Sequence, residues 1–216
     1  MTTLITGANR GIGQALMGLY TDAAEPVIGT HRSADAGPLY RLDVTDPASH
    51  AALATRLGDR PIDLLVCNAG VYLDKGQTLA DGYPADMWEQ TFAANVTGVF
   101  LTIQHLLPHL QRTKAGKIAI ISSQMASDTR APGGSYIYRA SKAAALNLGR
   151  NLATDLAPKG IAVGIYHPGW VQTDMGGNSA DISMEESATG LAARFAELSL
   201  QTTGCFLTWD GREHPY

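Results

Sequence analysis

The sequence predicts an α/β fold: a single doubly wound parallel sheet of about seven strands with helices on both faces. Three observations carry that expectation. Short apolar segments alternate with longer segments of helical period along the whole chain. Most of the apolar segments are continuous, as in Leu64-Leu65-Val66-Cys67 and Ile118-Ala119-Ile120-Ile121, which is what a strand covered on both faces requires. A glycine-rich turn from Gly7 to Gly13 joins the first apolar segment to the first helical one.

Taken in order, the first strand covers 2–6 and the first helix 11–21, starting inside the glycine-rich turn. A second strand, 26–30, is followed by only eight residues, 31–38, before the third strand at 39–42. Eight extended residues reach about 26 Å, enough to return along a short strand but too few to carry the usual crossover helix. The sheet is therefore expected to be less covered on that side. The second helix, 46–57, opens Asp46-Pro47, a capping residue followed by a first-turn proline. Strand four covers 62–67, the long third helix 86–112, and strand five 117–122. The fourth helix, 135–158, is ended by Gly160. Strand six, 161–166, leads to a fifth helix over 183–198, where Ser183 and Glu186 form a capping box, and strand seven is 205–208. No repeat or linker interrupts the pattern, so one domain over 1–216 is expected.

Composition excludes several classes of function. With 216 residues, 45% hydrophobic, 17% charged and a net charge of −4, the chain reads as an ordinary globular protein with no basic surface for nucleic acid. No apolar run reaches the roughly 18 residues needed to span a bilayer. The first residues run straight into a strand pattern with no leader-like segment, and a cytoplasmic location is expected. Cys67 and Cys205 sit in apolar stretches and read as buried free thiols. His105 and His109 have a spacing that can bind metal, but no third ligand is near in sequence and they read as ordinary helix histidines.

Two motifs carry chemistry. Strand, glycine loop and helix in that order form a phosphate-binding turn: Gly7, Gly11 and Gly13 let the backbone approach a pyrophosphate, with Asn9, Arg10 and Ile12 between them, and the helix offers free N–H groups and a positive dipole end. Further on, Tyr138 and Lys142 lie one helical turn apart and share a face. A phenol titrates near pH ~10, and a neighbouring ammonium favours the phenolate, so the pair is expected to serve as an acid/base catalyst.

With those motifs in place, the chain resembles the short-chain dehydrogenase/reductase family. The resemblance rests on Thr6-Gly7 through Gly13, Asp43-Val44, Asn68-Ala69-Gly70, Asn95, Ile121-Ser122-Ser123, Tyr138-x-x-x-Lys142 and Pro168-Gly169-x-Val171-x-Thr173, in register along nearly the whole chain. The wording of 122–125, 138–142 and 168–177 is similar to the compact C-factor-type branch. The resemblance implies a Rossmann-type NAD(P)-binding domain. Asp43 would accept from the adenine amino group, Val44 would add a backbone contact, and Asn68-Ala69-Gly70 would lie under the adenosine ribose. Pro168, Gly169, Val171 and Thr173 would hold the nicotinamide end. Tyr138 would transfer the proton, Lys142 would lower the pKa of Tyr138 and bond the nicotinamide ribose, and Ser123 would bond the substrate oxygen. Asn95 would hold a water that passes protons from Lys142. The family spacing points to Met125 for the serine, but Met125 has no hydroxyl. Counting from the strand end favours Ser123, with Ser122 facing away and Ser127 a more distant alternative.

The second strand ends Thr30-His31-Arg32-Ser33, with no carboxylate until Asp35. An acidic residue there would suit NAD, whereas the planar fork of Arg32, beside His31 and with Arg10 converging, suits a 2′-phosphate. NADP(H) is favoured, with NAD(H) as the alternative. Substrate contacts are expected from 71–84, 124–137 and 169–182, which offer Tyr72, Met125, Tyr136, Trp170 and Met175, with Arg130 as the nearby cation. That set suits an apolar or aromatic carbonyl compound. Apolar residues on more than one face of 86–112 and 135–158 point to a homodimer first and a homotetramer second. The expected activity is hydride transfer between NADP(H) and a carbonyl or secondary alcohol. The alternatives are a cofactor-binding signalling protein of the C-factor type and, less well matched, a sugar-nucleotide epimerase, since only about seventy residues follow Lys142.

Overall fold

The computed structural model describes residues 1–33 and 38–216. Among them, seven strands form one sheet in the order β3-β2-β1-β4-β5-β6-β7, every neighbouring pair parallel. The strands are β1 (Thr3–Ile5), β2 (Val27–His31), β3 (Tyr40–Arg41), β4 (Leu64–Cys67), β5 (Lys117–Ile121), β6 (Ala162–His167) and β7 (Phe206–Thr208). The helices are α1 (Gly11–Asp22), α2 (Pro47–Leu57), α3 (Ala85–Phe92), α4 (Gly98–Leu110), α5 (Tyr136–Leu156) and α6 (Met184–Glu197). This is a Rossmann-like architecture, and the strand order reverses between β1 and β4.

The continuous apolar strands are explained by burial on both faces. Leu65, Cys67, Ile118 and Ile120 point to one side and pack with Leu53 and Leu57 of α2, Ile103 and Leu106 of α4, and Ala153 and Leu156 of α5. Their chain neighbours Leu64, Val66, Ala119 and Ile121 point to the other and pack with Leu16 and Tyr20 of α1 and Leu191 and Phe195 of α6. Alternation of side chains along each strand therefore needs an apolar residue at every position. The expected caps are present: the Asp46 carboxylate accepts from Ala48 N at 2.9 Å, and Ser183 Oγ accepts from Glu186 N at 3.0 Å.

Two expectations are altered. The strand expected at 39–42 is a two-residue pairing, Thr30 with Tyr40 and His31 with Arg41. The short connection before it includes 34–37, which lie outside the described residues. The single helix expected over 86–112 is α3 and α4 joined by a π-helical turn, Ala93–Thr97. A π turn widens the helix locally and re-aims its side chains. Here it turns Asn95 inward, and it is followed by Gly98, where a Cβ would lie 2.7 Å from the Val44 carbonyl oxygen.

Helix α5 lies unusually close to the sheet. A Cβ on Gly149 would lie 2.6 Å from Ile165 Cγ1 and 3.1 Å from Ile120 Cδ1. In an exposed helix Gly→Ala gains about 1 kcal/mol, but overpacking a buried contact costs about 1–3 kcal/mol. Gly149→Ala is therefore expected to lower the urea unfolding midpoint at unchanged slope. A raised midpoint would show that α5 has room to spare.

Candidate active site

The turn after β1 and the turn after β4 flank the point where strand order reverses, the crevice in which such sheets hold ligands. The two turns are knitted together. Asn68 N and Ala69 N each donate to Thr6 Oγ1 at 3.0 Å, and Asn68 Nδ2 donates to the carbonyls of Thr6 and Gly7 at 2.9 and 3.1 Å. Gly7 and Gly11 have φ of 67° and 57°, conformations that favour glycine. A Cβ on Gly13 would collide with the Gly7 carbonyl and lie 2.5 Å from Asn68 Nδ2. Helix α1 has no side-chain cap and no acidic residue in its first turn. Glycine at these positions lets the two turns and the segment after β6 pack without side chains between them, and the uncapped amides of α1 fit a dinucleotide pyrophosphate. Asn9 and Arg10 are exposed there, while Ile12 packs against the core beneath α1.

After β3, Thr45 donates its amide and hydroxyl to Asp43 Oδ1 at 2.9 and 2.7 Å. Burial raises the Asp43 carboxyl, but these bonds and the nearby Arg32 and Arg41 guanidiniums outweigh it and hold the group below its usual range. Val44 offers its carbonyl to a ring nitrogen of His50 at 3.1 Å. Arg32 is exposed at the end of β2. His31 beside it is half-buried, and its Nδ1 has no hydrogen-bond partner among the described residues. Arg10, expected to converge with Arg32, is instead paired with Asp174 at 3.0 Å.

The second half of the site gathers around the N-terminal half of α5. Lys142 Nζ donates to the carbonyl of Ile121, the last residue of β5, at 3.0 Å, and lies 5.6 Å from the centre of the Tyr138 ring. Ser122 faces α5 and returns a bond from Oγ to the Lys142 carbonyl at 3.1 Å. The next residue, Ser123, accepts from Met125 N at 3.1 Å, and its hydroxyl is near enough to the Tyr138 phenol to pull its pKa down. Ser127 is occupied with Thr129 and the Tyr216 carbonyl. Of the three serines, the structure thus brings Ser123 to the phenol. Asn95 is buried, with Oδ1 accepting from Val71 N at 2.8 Å and Nδ2 donating to Val71 O at 2.9 Å and Ser141 Oγ at 3.0 Å. Its side chain braces the π turn against α5. A Cβ on Gly70 would lie 3.0 Å from Asn95 Oδ1 and 3.5 Å from Lys142 Nζ, so the bare backbone of Gly70 forms one wall beside the lysine.

The expected lowering of the Tyr138 pKa by Lys142 is corrected by burial. Desolvation is the largest effect on the phenol and raises it; the nearby Ser123 hydroxyl opposes this, while Tyr72 and Asp74 add to it. Desolvation likewise lowers the Lys142 ammonium to about 8. Removing both groups from water favours the neutral form of each, and Lys142 is turned toward the strand carbonyl.

A strap after β6 closes the front. Gly169 has φ of 90°, Pro168 accepts from Ser187 Oγ at 2.7 Å, and buried Val171 bridges to Ile182. Thr173 Cγ2 lies 3.5 Å from where a Gly11 Cβ would be, so the strap meets the glycine loop. Met175 Sδ lies 4.0 Å from Tyr138 Oη, and Trp170 Nε1 donates to Gly176 O at 3.0 Å. The sequence reading did not pick out Lys75, which donates to Met175 O at 3.1 Å, or Asp74, fully buried under the first turn of α5. Neither belongs to a recognisable motif; an acidic residue shortly after an Asn-Ala-Gly turn is the only signal. His109 bonds the Arg60 carbonyl at 2.9 Å, His105 stacks on His50, and both cysteines are free thiols.

Residues 1–182 match the short chain dehydrogenase family. The chain is 37% identical over 166 residues to the C-signal protein of Myxococcus xanthus, covering 76% of this chain and 99% of that one. It is 33% identical over 225 residues to 1-hydroxy-2-glutathionyl-2-methyl-3-butene dehydrogenase of a Rhodococcus species, covering 97% of each. The crystal structure of an NADPH-bound carbonyl reductase from chicken fatty liver superposes with a TM-score of 0.89 at 29% identity, over 100% of this chain and 98% of that one.

The burial of Lys142 has a measurable consequence. Its proton is held more weakly in the folded protein than in the unfolded chain, so this group destabilises the fold fully below about pH 8 and ceases to do so as pH rises toward the ordinary value of 10.5. The stability of the wild type relative to Lys142→Met should therefore rise with pH across that window, by at most about 1.4 kcal/mol per unit. Parallel stability curves for the two proteins from pH 7 to 10 would refute the assignment.

Proposed function

The chain belongs to the short-chain dehydrogenase family, and from that premise we propose that it is an NADP(H)-dependent carbonyl reductase, with Tyr138 as proton donor. The observation that carries this reading is the meeting of the Tyr138 phenol, the Ser123 hydroxyl and buried Lys142 beside a glycine loop at the sheet's switch point. The nicotinamide, when bound, supplies or takes the hydride. Ser123 bonds the substrate oxygen and stabilises the charge that grows on it. Tyr138 gives that oxygen its proton. A phenol that burial keeps protonated is suited to donation, and so to reduction of a carbonyl. Lys142, held near pH 8, exchanges a proton close to neutral pH and lies along the phenol ring. Val171 and Thr173 close over the nicotinamide end, Asp43 accepts from the adenine, and Asn95 holds the π turn in place beneath Lys142.

Arg32 is the residue we assign to the 2′-phosphate, next to His31 at the end of β2. Arg10 can join it, because its bridge to Asp174 is exposed at both ends, 71% and 80%, and such pairs contribute only about 0–1 kcal/mol. Tyr72 stacks on the phenol ring and Met175 lies on its oxygen, apolar surface that favours an aromatic or apolar carbonyl compound. A cytoplasmic homodimer, or a homotetramer, over one domain belongs to the same reading; Phe100, 40% exposed on α4, is part of the face that would pair. The C-signal relative supports a second reading, a cofactor-binding signalling protein. Tight NADPH binding without turnover on a broad panel of aldehydes and ketones would favour it.

Tyr138→Phe should lower kcat for NADPH-dependent reduction by about 10²–10⁴ while NADPH still binds; full turnover would remove the phenol from the mechanism. Arg32→Ala should weaken NADPH binding by about tenfold or more and leave NADH binding unchanged. Equal loss with both dinucleotides would sink the phosphate assignment.

A further inference from the structure

Helix α5 carries Tyr138 and Lys142, yet its N-terminus has no cap of its own. Ser135, at the capping position, is held at φ 49° and ψ 41°, and its hydroxyl is taken by Tyr72 Oη at 2.5 Å. The free amides are met by a carboxylate from the segment after β4. Asp74 Oδ2 accepts from Ile137 N at 2.9 Å, and its two oxygens lie 3.2 and 3.3 Å from Tyr138 N. The carboxylate is fully buried. A buried charge stripped of its donors is far more costly than a lost surface cap, so this contact holds the helix start and the segment together as a unit.

We propose that Asp74 is a positioning residue for Tyr138: it fixes the first turn of α5 from outside the helix and so holds the phenol oxygen opposite Ser123. This rests on the functional reading above. The same short segment touches the phenol in two other ways. The Tyr72 ring stacks on the Tyr138 ring at 4.2 Å, and Lys75 holds the carbonyl of Met175, whose sulfur faces the phenol oxygen. Residues 72–75 therefore contact the backbone, the ring face and the covering strap of one side chain.

Asp74 also acts through charge. The titratable groups around the phenol are Tyr72 and Asp74 in this segment and Lys142 on α5, with Lys75 behind Met175; Ser123 and Met175, on the remaining elements, are neutral. Burial raises the phenol most, and the Asp74 charge works in the same direction. Position and charge can be separated: Asp74→Asn keeps an acceptor for the amides and loses the charge, whereas Asp74→Ala loses both.

The full-length protein is compared as wild type, Asp74→Asn and Asp74→Ala. The readouts are amide hydrogen exchange across 136–139, NADPH affinity, and kcat with whichever aldehyde of a carbonyl panel the wild type turns over fastest. Asp74→Ala should speed exchange at 137 and 138 and lower kcat, each by about tenfold or more, with NADPH affinity within about twofold. Asp74→Asn, which keeps one acceptor for the amides, should recover most of kcat. Unchanged exchange in Asp74→Ala, or a kcat in Asp74→Asn no higher than in Asp74→Ala, overturns the role of Asp74. If Asp74→Ala does not fold, Asp74→Asn decides: faster exchange at 137 and 138 than in wild type, with most of kcat kept, supports the role, and unchanged exchange overturns it. A wild type that reduces nothing on the panel overturns the functional reading instead, and exchange alone then decides whether Asp74 caps α5.

Discussion

Two reciprocal hydrogen bonds between the end of β5 and helix α5 set the geometry on which the rest depends. Lys142 reaches from the helix to the Ile121 carbonyl, and Ser122 reaches from the strand end to the Lys142 carbonyl. Together they fix α5 in depth and in rotation against the sheet. Gly149, two helical turns on, then allows the helix to descend onto Ile165 and Ile120 without a side chain in the way. With α5 seated, Tyr138 stands one turn before Lys142 and Ser123 one residue after Ser122, so the two hydroxyls meet as a consequence of strand alternation and helix pitch.

That seating has an electrostatic cost. Lys142 is buried, with the Ile121 carbonyl its one acceptor among the described residues, and burial drives its ammonium down to about 8. The phenol beside it is driven up for the same reason. A lysine and a tyrosine in water would sit almost together near pH 10; here burial pulls them well apart, the amine toward neutral pH and the phenol away from it. In the proposed mechanism a pair separated in this way would have a distinct acid and a distinct proton exchanger, which equal neighbours in water would not.

Much of this was legible in the sequence, and the parts that were not share one cause. Continuous apolar strands, the Asp46-Pro47 and Ser183–Glu186 caps, the glycine spacing and the Tyr138/Lys142 spacing are all local signals, and the sheet, the helices and the helix starts follow from them. The π turn at 93–97 has no local signal. Its residues are compatible with an α-helix, and what it is matched to, the bonds of Asn95 to Val71 and Ser141, comes from distant parts of the chain. The partner of Arg10 was missed for the same reason, since Asp174 lies on the far side of the cleft in sequence. Counting from a strand end leads to Ser123, which the fold puts near the Tyr138 phenol, although the expected spacing from the tyrosine points to Met125. The direction of the Tyr138 shift was read wrongly because a one-turn spacing shows a lysine nearby but says nothing about how little water surrounds both groups.

The two halves of the site are held with unequal strength. The inner half rests on buried bonds: Lys142 to Ile121, Asn95 to Val71 and Ser141, Asp74 to the start of α5. Breaking any of these strands a polar group away from water, at a cost of about 1–3 kcal/mol each and more for charges. The strap over it is tied by Arg10 to Asp174, Lys75 to the Met175 carbonyl and Trp170 to the Gly176 carbonyl, all of them exposed. Water replaces such bonds at little cost. Met175, the residue that lies on the phenol oxygen, therefore belongs to the half that moves easily, while the phenol belongs to the half that does not. In the proposed reduction, a substrate oxygen approaching Tyr138 would have to displace only the weakly held side and would meet Ser123 and Tyr138 already in place, which is the division a site needs if positioning is to be settled before the substrate arrives.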